Sequence, residues 1–315
     1  MKRLSLFLAL ILVLALAACS GTQSEGTPAA TPVEGGGEVT EAKGTLNVAS
    51  KGFTEAFILG EMYALLLEEN GYQVERKLGL GSESVIHEAM IAGDVDLYPE
   101  YTSTGLLAIL QQPAMQDRVE IYNTVKAEYE SQFKFTWLDA APFNNTQALA
   151  VTQETSDEYG LTQVGQLTEL APQLRIGGAP EFYEREDGLP GLESLYGEMA
   201  FKEERQLDSG LRYEALLNDE IDVVVAYGTD GQIGGFDLVV LEDEKGLWPP
   251  YQVAPVVRQE VLSQHADIAT ILNPLAPLLT DQIMADLNWK VDGPDKMDFE
   301  DVARDFLIEK GLITQ

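Results

Sequence analysis

The residues of this chain best suited to chemistry are tyrosines set beside small polar residues in short loops. Tyr98 and Tyr101 flank Pro99-Glu100, and Thr102, Ser103 and Thr104 follow; Tyr227 precedes Gly228, Thr229 and Asp230; a third loop reads Leu247-Trp248-Pro249-Pro250-Tyr251. Loop tyrosines on a rigid scaffold present π-faces without adding charge, and several around one point bind a quaternary ammonium by cation–π attraction. Taken singly, each tyrosine reads as packing more readily than as a ligand contact. Two cations sit in glycine-bearing loops: Lys51 in Ser50-Lys51-Gly52, and Arg185 in the stretch from Pro180 to Gly188. Aimed into one cleft they would give a carboxylate charge-assisted hydrogen bonds. Alone, each reads as a solvated surface charge.

Nothing comparable supports catalysis. The two histidines, His87 and His265, lie far apart at helical positions and read as surface or helix-end residues. No nucleophile elbow, zinc-protease helix or phosphate-binding loop is present. The chain is therefore read as a non-enzyme without cofactor or metal site. A secreted hydrolase would need a nucleophile with a histidine partner, which is missing.

The elements that must position the tyrosines contain a repeat. Glu88–Thr104 and Glu214–Asp230 match without a gap at a spacing of 126 residues, with Glu88, Ala89, Asp96 and Tyr101 recurring as Glu214, Ala215, Asp222 and Tyr227. Each copy reads as a helix end, an acidic turn, a β-branched strand and a tyrosine just past it. In open α/β sheets, ligands sit at strand C-terminal ends. Strand and helix signals alternate along the rest of the chain, so the class is α/β with largely parallel sheets. From Gln259 onward the pattern turns helical. The layout implies two α/β lobes, residues 45–149 with 256–315 and residues 150–255, joined by a two-strand hinge near Ala148–Thr152 and Ala254–Val257. Such a hinge supports closure around a ligand.

The N-terminus reads as an export signal over residues 1–18, with Lys2 and Arg3 before an apolar run that ends Leu16-Ala17-Ala18-Cys19. That ending resembles a bacterial lipobox and implies cleavage and lipidation at Cys19, the chain's one cysteine. Residues 19–44 then form a polar tether without apolar periodicity. The expected location is the outer face of the cytoplasmic membrane, at the cell surface or in the periplasm. The formal net charge is −32 and the basic residues are scattered, which removes nucleic acid as a partner.

Six ordered motifs resemble one family: Ser50-Lys51-Gly52-Phe53-Thr54-Glu55, Tyr98 through Thr104, Asn144-Asn145-Thr146, Pro180-Glu181-Phe182 with Arg185 and Asp187-Gly188, Ala226 through Asp230, and Pro249-Pro250-Tyr251. The family is the substrate-binding lipoproteins of ABC transporters for glycine betaine, choline, carnitine and related osmoprotectants. The resemblance implies a type II periplasmic-binding-protein fold and a monomer that delivers its ligand to permease membrane subunits. It further implies that Tyr101, Tyr227 and Tyr251 wall an aromatic cage, that Asn145 borders it, and that Lys51, Thr104 and Arg185 hold a carboxylate. Two positions depart from the family pattern. Gln147 stands where a tyrosine commonly completes the cage, which opens it or retunes it toward another small zwitterion such as ergothioneine or an amino-acid derivative. Ser103 replaces a glycine.

Overall fold

The computed structural model describes residues 43–208 and 210–314. The expected signal, residues 1–18, lies outside them, as do Cys19 and the tether up to residue 42. Lys43 and Gly44, read as the end of the tether, already touch the fold: Lys43 donates its backbone N–H to Gly71 O at 2.9 Å and pairs with Asp267 at 2.5 Å.

The strands are β1 (Thr45–Ala49), β2 (Gln73–Lys77), β3 (Leu97–Tyr101), β4 (Phe135–Trp137), β5 (Gln147–Val151), β6 (Arg175–Gly178), β7 (Glu203–Gln206), β8 (Val223–Tyr227), β9 (Val239–Val240) and β10 (Val253–Arg258). They form two sheets of the same layout, β2-β1-β3-β10-β4 and β7-β6-β8-β5-β9. Both are mixed rather than largely parallel. In each, the three strands of the βαβ units run parallel, while the strand arriving from the other lobe, β10 or β5, is antiparallel to both neighbours. Strand–helix alternation reveals only the consecutive pairings, so the incoming strand's direction was not legible.

The repeat occupies equivalent places, β3 in one sheet and β8 in the other. Its invariant residues do structural work. Asp96 accepts the Asn47 N–H of β1 at 2.8 Å, and Asp222 accepts the Arg175 N–H of β6 at 2.7 Å. Ala89 O accepts from Asp94 and Val95, as Ala215 O accepts from Glu220 and Ile221. The turn between helix and strand needs a left-handed residue: Gly93 (φ 85°) in one copy, Asp219 (φ 55°) in the other. Aspartate is among the few side chains that tolerate this conformation.

The lobes are joined by two extended segments, 138–146 and 241–252, that run side by side. Leu138 and Ala141 donate to Pro255 O and Val253 O at 2.9 Å, and Asn145 donates to Tyr251 O at 3.0 Å. Sheet membership puts all of β5 with the second lobe and all of β10 with the first. The divisions thus fall inside these connecting segments, a few residues before the expected 149/150 and 255/256.

Apolar cores cover both faces of each sheet. On the first, Leu59, Met62, Leu287, Phe306 and Leu307 pack one side, and Ile86, Met90, Val125 and Trp137 the other. The C-terminal helices Asp281–Asp292 and Phe299–Glu309 therefore belong to the first lobe. No helix among the described residues is long and apolar enough to cross a membrane. His87 is not a surface residue. It is 6% exposed and meets Tyr129, Phe133 and Phe135 edge-on, and burial pushes its pKa down. The helical period had placed it at the helix edge, without the aromatic cluster of a distant helix and strand.

The lobes also touch away from the hinge. The helix Gly231–Gly235 of the second lobe lies on Trp289 of the first, and a Cβ at Gly231 would stand 2.6 Å from the Trp289 Cβ. At Gly235 the added atom would collide with the indole ring itself. Gly235→Val is expected to cost about 1–3 kcal/mol of overpacking and to push the lobes apart. The checks are a denaturation midpoint and the radius of gyration by small-angle scattering; an unchanged radius would refute the contact.

Candidate ligand-binding cleft

A cavity of about 630 Å³ opens between the lobes, and Lys51, Tyr101, Thr104, Asn145, Gln147, Arg185, Tyr227 and Tyr251 all line it. Tyr101 and Tyr227 end β3 and β8, so strand register delivers one ring from each lobe. Asn145 and Tyr251 come from the two hinge segments, which clamp each other: Tyr251 N–H donates to Asn144 Oδ1 at 2.7 Å and Thr146 Oγ1 to Pro249 O at 3.1 Å. Ser103 uses the hydroxyl that glycine would lack, donating to Pro250 O at 2.6 Å. Tyr98 points elsewhere; it is fully buried and donates to Glu100 at 3.0 Å. Six acidic and three basic side chains line the cavity, a balance that favours a cationic group.

Two buried carboxylates organise this site. The first is Glu55, in the first turn of helix Thr54–Glu69, where the helix N-terminus favours negative charge. Its Oε1 accepts from Tyr101 OH at 2.6 Å and Asn145 Nδ2 at 2.7 Å; its Oε2 accepts from Thr229 Oγ1 at 2.5 Å and Asn288 Nδ2 at 3.1 Å. One carboxylate thus ties the first lobe, the hinge and the second lobe together. Burial pushes its pKa up, and the four hydrogen bonds pull it back only in part. The other asparagine atoms, Asn145 Oδ1 and Asn288 Oδ1, are buried without a hydrogen-bond partner among the described residues.

The second carboxylate is Asp187. Arg185 grips it through Nε and Nη2 at 2.7 Å each, Gln147 Nε2 donates to it at 3.0 Å, and Tyr251 OH donates to the same oxygen as Gln147. Burial raises the Asp187 pKa, but Arg185 outweighs it and holds the group below its ordinary 3.8. Arg185 also reaches Glu83 of the first lobe at 3.3 Å, a second link across the cleft. Gln147 therefore braces Tyr251 through Asp187, in addition to facing the cavity.

Each expected cation has a partner inside the protein. Lys51 pairs with the fully buried Glu100 at 2.5 Å and stands 5.1 Å from the Tyr101 ring centre. A further cation, Arg212, went unnoticed in the sequence. It is 4% exposed, lies between the Tyr213 and Tyr227 rings at 5.1 and 5.0 Å, and donates to Asp230 at 2.6 Å. Burial pushes its pKa down, and the Asp230 charge more than offsets this, so it stays charged. Its Nε has no partner among the described residues. The sequence held a signal for it: extending the repeat backward aligns Arg212 with Ile86, so a charge occupies what is a core position in the other copy. Burial keeps the hydroxyls of Tyr101, Tyr227 and Tyr251 protonated, raising all three pKa values. The rings are neutral π-donors. Glu55, Asp187 and Asn288 are the other cleft residues that sequence reasoning did not single out. The first two lie inside quoted motifs, whereas Asn288 carries no local signal. Among the described residues no cluster could hold a metal ion.

A model of the substrate binding domain of the ABC-type glycine betaine transport system matches residues 44–309. The chain is 36% identical over 268 residues to an ergothioneine transport permease/ergothioneine binding protein of Helicobacter pylori, covering 85% of this chain and 48% of that protein. It thus spans about half the length of that relative. A glycine-betaine-binding protein of Pseudomonas aeruginosa is 36% identical over 279 residues, covering 85% of this chain and 89% of its own. A crystal structure of a glycine betaine/carnitine/choline ABC transporter superposes with a TM-score of 0.69 at 30% identity, over 85% of this chain and 99% of the other.

Proposed function

The chain belongs to the family of substrate-binding domains of ABC-type glycine betaine transport systems, and from that premise we propose that it captures a small quaternary ammonium zwitterion between its lobes and hands it to a membrane permease. It has a type II periplasmic-binding-protein fold and acts outside the cytoplasm as a component of an ABC importer. The reading adds lipid anchoring through Cys19 and action as a monomer. One observation carries the ligand assignment: three neutral tyrosine rings, one from each lobe and one from the hinge, line a single acid-rich cavity. A trimethylammonium group cannot accept or donate strong hydrogen bonds, so π-faces and nearby carboxylates are its natural surroundings. A carboxylate on the same ligand would compete with internal acids for Lys51 and Arg185, with Thr104 beside them.

Binding favours the closed state, because only closure brings Tyr101 and Tyr227 to one cation. Calorimetric titration of the folded part against glycine betaine, choline, carnitine, proline betaine and ergothioneine tests the assignment. Heat of binding with at least one is expected; silence from all five at millimolar concentration refutes it. Within this class, Gln147 favours a ligand with an extra polar group, and the similarity to the ergothioneine binding protein agrees with that reading. Gln147→Tyr would restore a ring and remove an amide donor. It is expected to tighten glycine betaine by about 0.5–2 kcal/mol, roughly 2–30-fold, and to weaken ergothioneine. Unchanged affinities for both would remove position 147 from the specificity argument.

A further inference from the structure

The 126-residue repeat also has an outer face. Val85, Glu88 and Ile91 sit one turn apart along helix Glu83–Ala92, and Leu211, Glu214 and Leu217 take the same places along helix Arg212–Leu217 in the other lobe. The apolar members are 50%, 54%, 52% and 45% exposed in that order, and both glutamates are exposed. Eight large apolar residues are exposed among the described residues, and these four are half of them. Scattered single exposures need no explanation. Two matched apolar–acid–apolar stripes at one spacing do.

The stripes are not spare core. The opposite side of each helix already packs its own lobe, through Ile86 and Met90 in one and Ala215 and Leu216 in the other. Both helices begin at the cleft, where Glu83 and Arg212 line the cavity. The distance between the stripes is therefore set by how far the lobes have closed. A partner that engages both must offer the same feature twice, as a two-fold symmetric pair of subunits does. An acid between two apolar side chains calls for a lysine or arginine between apolar contacts, and the chain's net charge of −32 draws basic surfaces toward it.

Resting on the importer reading but not on any particular ligand, we infer that these stripes dock the chain onto the paired membrane-spanning subunits of its importer, one basic residue meeting Glu88 and its symmetry mate meeting Glu214. Closed lobes would then present the two stripes at the spacing that the pair accepts, and open lobes would not.

The test places a photoactivatable benzoylphenylalanine at Val85 or Leu217 in the full chain, in membranes of its own host. A control carries it at Glu309, on a helix packed against the other face of the first sheet. Adducts with membrane-spanning importer subunits, identified by mass spectrometry, are expected from both stripe positions and not from the control. Glu88→Lys and Glu214→Lys should each cut the adduct yield on their own lobe by about tenfold or more, since a like charge opposite a basic residue costs several kcal/mol. Folding of the lysine variants is checked by their melting curves. No subunit adduct, adducts from one lobe alone, yields indifferent to the charge reversals, or a second copy of this chain as the main adduct would each overturn the inference. No solute is needed, so a wrong ligand assignment leaves this result readable.

Discussion

Replacing Glu55 with alanine is expected to lower the folding free energy by about 3–4 kcal/mol and to weaken ligand binding about 100-fold. The substitution orphans four donors, from Tyr101, Asn145, Thr229 and Asn288. A buried donor left without a partner costs about 1–3 kcal/mol; water entering the space recovers part of the sum. The effect on affinity is separate from the effect on stability. Thr229 belongs to one lobe and Tyr101 to the other, so losing their shared acceptor penalises the closed state, and ligand affinity falls by the same population factor. Glu55→Gln is expected to be milder, because Asn145 or Asn288 can turn its unpartnered carbonyl oxygen toward the new amide. Urea unfolding and calorimetric titration of both variants are the measurements. An alanine variant with unchanged midpoint and affinity would refute the role of Glu55 as a lobe tie.

Asp187→Ala should have an effect of similar size by a different route. It removes the bidentate partner of Arg185 and the acceptor of Tyr251 and Gln147. Breaking one side of a buried ion pair costs about 3–5 kcal/mol, because a charge remains without compensation. Glu83, at 3.3 Å, keeps the loss toward the lower end. This contribution depends on pH in a definite direction. Asp187 titrates below its ordinary 3.8 in the folded protein, so its stabilisation is fully present above that value and is lost as the pH falls through the folded pKa. The gap in unfolding free energy between wild type and Asp187→Ala should thus be wide near neutrality and close progressively below about pH 4. A gap that persists undiminished at low pH would refute the ion-pair account. Tyr251 also loses its anchor, so affinity should fall along with stability.

How much of this was legible differs from residue to residue. The helix Glu83–Ala92 and the strands around Leu97 and Val223 were readable because their apolar period is local. The tyrosines could be placed at strand ends for the same reason, and all eight expected site residues do line one cavity. The antiparallel direction of β5 and β10 was not readable, since it depends on a chain that leaves one sheet and re-enters from the other side. His87 was misplaced because its aromatic neighbours Tyr129 and Phe133 lie on another helix and Phe135 on a strand. Arg212 was overlooked because one copy of the repeat alone cannot show that a charge occupies a core position.

By itself, the sequence determined two equivalent units, the left-handed turns at Gly93 and Asp219, and a tyrosine at the end of each paired strand. These follow from steric limits on single residues and from periods of a few residues. Only the tertiary structure decided which charges meet. Glu55 gathers hydrogen bonds from partners 46, 90, 174 and 233 residues away, and Asp187 joins Gln147 to Tyr251 across the hinge. No local period encodes such pairings, because they arise when closure removes water from polar groups that must then satisfy one another. The cage walls were thus written along the chain, and the carboxylates that hold them in place emerged only on folding.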